Sequence, residues 1–224
     1  MAWCCSSTTN KGLIDNLAKY GLIKKPELEA AMKSVDRAHF VNAVKPYDDA
    51  PVEIGQDQTI SAPHMHALAM SILFDRICAN DAKFLDIGCG SGYLLAVAAH
   101  LNPSATCFGV ECHSSLVDKS RINISKQDQT LLDNGRITIK LGNGWEGLKE
   151  HAPFDAINVG GKFGLLLYAL SLSLSLSLSL SLSLSIYLSH THTHTHSLTF
   201  THTPTHSLSL SLSHTHTISS SLSL

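Results

Sequence analysis

One stretch of nine residues limits what this chain can fold into. Phe84-Leu-Asp-Ile-Gly-Cys-Gly-Ser-Gly92 runs from a short apolar start into glycines at 88, 90 and 92. The run 84–87 has the length and character of a strand buried on both faces. The glycines let the chain turn tightly and let a ligand approach the backbone closely. Residues 93–101 then read as a helix, which completes a βα unit. The same rhythm continues, with strands at 107–110, 136–141 and 154–159, the last announced by Pro153, and a helix at 115–123. Such alternation predicts an α/β fold with a mostly parallel sheet and helices on both faces.

The segment before it is helical. Leu13, Ile14, Leu17 and Tyr20 fall at helical spacing, and Gly21 stands where a helix ends. Pro26 suits the first turn of a second helix through Leu28, Ala31 and Met32. Residues 36–57, with Pro46 and Pro51, read as irregular. Ser61 and Pro63 read as N-cap and first turn of a third helix with a buried stripe of Met65, Leu68, Ile72, Leu73 and Ile77.

Composition changes at Lys162. All 16 Lys and Arg and all 18 Asp and Glu lie at or before it, and the remaining residues are mostly Ser, Leu, His and Thr. Ser and Leu alternate over 171–185 and Thr and His over 190–196. A two-base repeat read in threes gives a two-residue repeat, since CTCTCT reads Leu-Ser and CACACA reads His-Thr. The tail therefore reads as translated microsatellite, from an unspliced intron or a wrong gene model, and sequencing the transcript across the codon for Lys162 tests this. Period two is also the period of a half-buried strand, but no turns fold it back. Residues 163–188 are uncharged and long enough to span a bilayer, yet alternation would put Ser on every face of a helix. The alternating His would bind zinc or copper only loosely, and no metal site is expected. Three regions result: 1–80, helical and on the substrate side; 81–161, an incomplete Rossmann-like core; and 162–224, a low-complexity tail expected to be disordered or artefactual.

Several residues carry chemistry. A dinucleotide fingerprint would place a glycine where Tyr93 stands, so the spacing favours S-adenosylmethionine over a nicotinamide cofactor. A nicotinamide-dependent oxidoreductase would also need a second substrate domain. Glu111, at the end of the second strand and about 20 residues past the glycines, suits hydrogen bonding to ribose hydroxyls. Gly142-Asn-Gly144 ends the third strand, where either an adenine contact or a plain turn fits, and Asn143 has an amide for a base edge. A net charge of −2 with both signs interspersed lacks the basic stripe that nucleic acid requires. The six cysteines include no C-x-x-C pair, and residues 1–10 show no secretory pattern, so a reducing cytoplasm is expected.

Thr59-Ile-Ser-Ala-Pro-His-Met-His66, the Asp86 glycine loop, Gly142-Asn-Gly144 and Pro153-Phe-Asp-Ala-Ile-Asn-Val-Gly160 occur in this order. Together they resemble the protein-L-isoaspartate O-methyltransferase family over roughly residues 1–160, and the Thr-Ile-Ser-Ala-Pro-His segment is the discriminating part. The resemblance implies a Rossmann-like methyltransferase sheet and transfer of a methyl group from S-adenosylmethionine to the carboxylate of L-isoaspartyl residues in damaged proteins. It implies Ser61 as the active-site residue. Cofactor contacts would come from Gln58, Thr59, Ile60, Ser61, His66, Asp86, Ile87, Gly88, Cys89, Gly90, Ser91, Glu111, Asn143 and Gly144. The partners implied are isoaspartyl proteins or peptides, with no nucleic acid or membrane, and a monomeric enzyme. Asn143 stands where the family usually has Asp. The family pattern stops after Gly161, so the sheet is expected to be truncated after about the fourth strand, leaving 154–159 an exposed apolar edge. The alternative expectation is an inactive truncated product or gene-model artefact with little or no cofactor binding.

Overall fold

The computed structural model describes residues 5–160 and, as backbone, three later strands. In chain order the elements are α1 (Asn10–Lys19), α2 (Pro26–Ser34), β1 (Val52–Gly55), β2 (Gln58–Ile60), α3 (Pro63–Ile77), β3 (Lys83–Ile87), α4 (Tyr93–Leu101), β4 (Thr106–Glu111), α5 (Ser114–Asp128), α6 (Thr130–Asp133), β5 (Ile137–Leu141) and β6 (Ala156–Gly160). They are followed by β7 (Leu184–Ser189), β8 (His196–His202) and β9 (Leu208–His214).

Four parallel strands lie in the order β5-β4-β3-β6. The chain steps outward from β3 through β4 to β5, then returns to the other side of β3 as β6. That reversal is a Rossmann-like switch point, and it opens a crevice at the carboxyl ends of β3 and β6. Burial explains the apolar composition: Phe84, Leu85 and Ile87 of β3, Cys107 and Val110 of β4, and Ala156 and Val159 of β6 are all buried. Of these, Phe84, Cys107 and Ala156 share one core cluster with Leu13 and Leu17 of α1 and Leu28 and Met32 of α2. Thr9 caps α1 by accepting from Gly12 N at 3.1 Å, and Gly21, with φ at +76°, ends it.

The structure corrects the sequence reading in four places. Residues 36–57 are not wholly irregular: Arg37–His39 form a 3-10 turn, and β1 opens an antiparallel hairpin whose turn residues Gln56 and Asp57 both have positive φ. The hairpin escaped notice because such turns usually advertise themselves with Asn-Gly or Asp-Gly. The N-cap of α3 is Ala62 rather than Ser61. A residue before proline is pushed into extended backbone, so Pro63 puts the boundary one position later. Helix α3 is also rotated from expectation, burying His66, Ala67, Met70, Phe74 and Ile77 while Ile72 is exposed.

The fourth correction concerns the tail. Strand β6 is not left as a free edge: β7 pairs with it in parallel, and β8 and β9 follow antiparallel. Period-two alternation is the pattern of a strand, and the unsatisfied N–H and C=O groups of β6 give it a template. The expectation of disorder for the rest of the tail falls on 161–183, 190–195, 203–207 and 215–224, outside the described residues. Among the described residues no helix is long and apolar enough to cross a membrane.

Candidate functional site

The carboxyl end of β3 runs into a turn with Gly88, Gly90 and Gly92 at φ of +74°, +51° and +83°. The constraint at Gly88 is both conformational and steric, since an added Cβ would lie 2.0 Å from the Gly160 carbonyl oxygen. Gly88 N and Cys89 N both donate to the Val110 carbonyl, at 2.8 and 3.2 Å, which folds the turn back over β4. The turn is thereby fixed from both neighbouring strands. Cys89 lies beneath it with its thiol pKa pushed well up by burial, so it acts as packing rather than as a nucleophile.

Glu111 closes the floor. Its carboxylate is buried, with Oε2 accepting from Gly90 N at 3.0 Å and Oε1 from Cys112 N and His113 N at 2.8 and 3.1 Å. A carboxylate offers about four lone-pair sites, so Oε2 keeps one for a further donor. Asp86, one residue before Ile87 on β3, is also buried and accepts from Asn158 Nδ2 of β6 at 2.7 Å. Burial pushes its carboxyl up to about 7, against the lowering effect of the Asn158 bond, and the Glu111 charge adds to the rise. Ser91 is buried, and its carbonyl accepts from Asn123 Nδ2 of α5 at 3.2 Å.

The β1–β2 hairpin forms the second wall. The Ile54 Cδ1 atom lies 3.2 Å from where a Cβ on Gly90 would stand, and Lys119 Nζ of α5 donates to the Ile54 carbonyl at 2.8 Å. This brings the segment 58–61 to the glycine turn. Gln58 and Thr59 are exposed and Ile60 is buried, with Gln58 Nε2 spent on the Gln56 carbonyl of its own hairpin at 3.2 Å. Ser61 is half-buried, and Arg37 Nη2 donates to its carbonyl at 2.9 Å. With Ala62 as N-cap, the Ser61 hydroxyl holds no hydrogen bond among the described residues. It is available to an incoming group.

His66, in the first turn of α3, is buried with its ring stacked on Tyr93, centroids 5.0 Å apart and planes 27° apart. Tyr93 directly follows Gly92 and begins α4. His66 is therefore joined to the same turn, and its pKa is driven well below the ordinary value by burial first and by the Arg37 and His64 charges next. His64 points its Nδ1 at Asp49 Oδ1, 2.8 Å away.

On the far side, Asn143 and Gly144 follow β5. A Cβ on Gly144 would lie 2.5 Å from Ile87 Cγ2, so this loop crosses the end of β3. Asn143 Oδ1 accepts from Trp145 N at 3.1 Å, which is the plain turn role, while the residue also lines an open cleft of about 450 Å³ with Val110, Gly142 and Leu148. Sequence reasoning missed Arg37, Asp49, Tyr93, Asn123 and Asn158. Of these only Asn158, a polar residue inside an apolar strand run, carried a local signal.

A cofactor with a ribose and a cationic centre fits the donor set: a Cβ-free turn, a buried carboxylate with a spare lone pair, and a second acidic group at Asp86. Known proteins point the same way. The family model for protein-L-isoaspartate(D-aspartate) O-methyltransferase matches residues 8–163. The Caenorhabditis elegans protein-L-isoaspartate O-methyltransferase is 44% identical over 161 residues, which is 71% of each chain. The Arabidopsis thaliana protein-L-isoaspartate O-methyltransferase 1 is 38% identical over 162 residues, 70% of each. A Plasmodium falciparum structure described as a protein-L-isoaspartate O-methyltransferase, in complex with S-adenosyl-L-homocysteine, superposes with a TM-score of 0.74 at 28% identity, covering 93% of this chain and 95% of that one. With the family match spanning the glycine turn, Ser61 and Glu111 alike, this chain belongs to the protein-L-isoaspartate (D-aspartate) O-methyltransferase family.

Proposed function

We propose that this chain transfers a methyl group from S-adenosylmethionine to the carboxylate of L-isoaspartyl residues in proteins and peptides. Bound at the carboxyl end of β3, the cofactor would supply an electrophilic methyl group on a sulfonium. Glu111 would receive the ribose hydroxyls, Gly88 to Ser91 would meet the amino-acid end, and Asn143 and Gly144 would border the base. The substrate carboxylate, with an ordinary pKa near 4, is already ionised at neutral pH, so no general base is required. The protein's task is alignment. Ser61, whose carbonyl is tied to Arg37 while its hydroxyl is unspent, would donate to the carboxylate and hold one oxygen in line.

The observation that carries this reading is Glu111, whose buried carboxylate is clamped to the glycine turn that also adjoins the Ser61 segment through the hairpin. The test is methyl transfer by the full chain to an isoaspartyl peptide and to its aspartyl counterpart, with Ser61→Ala alongside. The expected result is labelling of the isoaspartyl peptide alone, with a rate lowered roughly tenfold or more in Ser61→Ala. A chain that binds no S-adenosylhomocysteine would fit the inactive product instead, and equal labelling of both peptides would remove the substrate assignment.

A further inference from the structure

Arg37 is the largest fully buried side chain among the described residues, with an exposure of 0%. It forms no ion pair among those residues, and its Nε has no hydrogen-bond partner. Taking an ion out of water without a bonded counter-charge costs several kcal/mol, so an arginine that only filled space would be replaced favourably by an apolar residue. Burial lowers its pKa to about 10, which leaves it charged at neutral pH, and Tyr93 and Asp49 oppose the fall. What the guanidinium does touch is specific. Nη2 donates to the Ser61 carbonyl at 2.9 Å, Nη1 lies 3.4 Å from His66 Nδ1, and the group sits 5.8 Å over the Tyr93 ring.

We propose that Arg37 is a positioning residue for methyl transfer: one guanidinium fixes the Ser61 carbonyl and His66 Nδ1 together, leaving His66 as an Nε2–H donor for an anionic group of the cofactor. This role rests on the proposed methyltransferase activity. A guanidinium has five N–H donors and no acceptor, so the nitrogen facing it must be the unprotonated one and the ring proton is on Nε2. The groups around the ring are Arg37, His64 and the Tyr93 phenol, and none of the three is an anion at neutral pH to favour imidazolium. A neutral Nε2–H donor is suited to a carboxylate, such as the one on the amino-acid end of the cofactor. The same side chain sets where the Ser61 hydroxyl stands, since the carbonyl it holds belongs to that residue. Ser61, His66 and Tyr93 are thus all held against the one guanidinium beside Gly92.

The experiment uses the full chain labelled with 15N-histidine, with long-range proton–nitrogen spectra of the His66 ring and calorimetric binding of S-adenosylhomocysteine. The unmodified chain should show the Nε2–H tautomer alone. Arg37→Met should give mixed tautomers and weaken S-adenosylhomocysteine binding roughly tenfold, about the worth of one orienting hydrogen bond. Arg37→Lys, which can make only one of the two contacts, should fall between, and both variants should raise KM for an isoaspartyl peptide while remaining folded at the assay temperature. An Nδ1–H tautomer in the unmodified chain overturns the inference whether or not the variants fold. So does a folded Arg37→Met that keeps the Nε2–H tautomer and binds within about twofold of the original. The expected tautomer in a chain that binds no S-adenosylhomocysteine overturns the enzymatic reading and the positioning role together, which distinguishes that failure from the first two.

Discussion

Replacing Asp86 with Asn should stabilise the folded chain by an amount that depends on pH. The carboxyl is buried on β3 beside Asn158, and burial moves its pKa from 3.8 to about 7. Between those values the folded state holds a proton that the unfolded state has released. The stability associated with the protonated form is therefore fully present below pH 3.8 and is lost as pH rises through about 7. At about 1.4 kcal/mol for each tenfold change in proton affinity, the loss amounts to about 4 kcal/mol, a large part of a typical net stability of about 5–15 kcal/mol. Asparagine cannot ionise, and its amide oxygen can still accept from Asn158 Nδ2, so the packing is conserved. Urea unfolding followed by circular dichroism across this interval measures the difference. The advantage of Asp86→Asn should grow from pH 3.8 and level off above about 7, by about 4 kcal/mol in all. A difference constant across that range would refute the assignment of the buried carboxyl as the titrating group.

Three further outcomes are expected from the geometry. Gly88→Ala, with φ at +74° and a Cβ 2.0 Å from the Gly160 carbonyl, should destabilise by about 3 kcal/mol or more in thermal or urea unfolding, whereas Gly21→Ala, at +76° with nothing nearby, should lose only about 1–2 kcal/mol. Glu111→Gln should weaken S-adenosylhomocysteine binding by about 2 kcal/mol, roughly thirtyfold by calorimetry, because an amide NH2 would face at least one backbone N–H that the carboxylate now accepts. Phe84→Ala, at 0% exposure in the central strand, should lower unfolding free energy by about 3–5 kcal/mol.

The chain spells out β3, its glycine turn and α4 almost to the residue, because a buried strand and the helix after it announce themselves through apolar runs and glycines a few positions apart. The order of β4, β5 and β6 along the chain was legible for the same reason, and so was the position of Glu111 at a strand end. Local pattern did not determine which way α3 faces, since its stripe was read from hydrophobicity while the ring of His66 is drawn inward by Tyr93 and Arg37. It did not reveal Arg37 either, whose partners lie 24 and 29 residues away, or the Asn158–Asp86 bond, which joins residues 72 apart. Nor could it show that β7 would pair with β6. Periodicity is written along the chain, but the burial of a charge and the partner that justifies it exist only once distant strands and helices have closed around it.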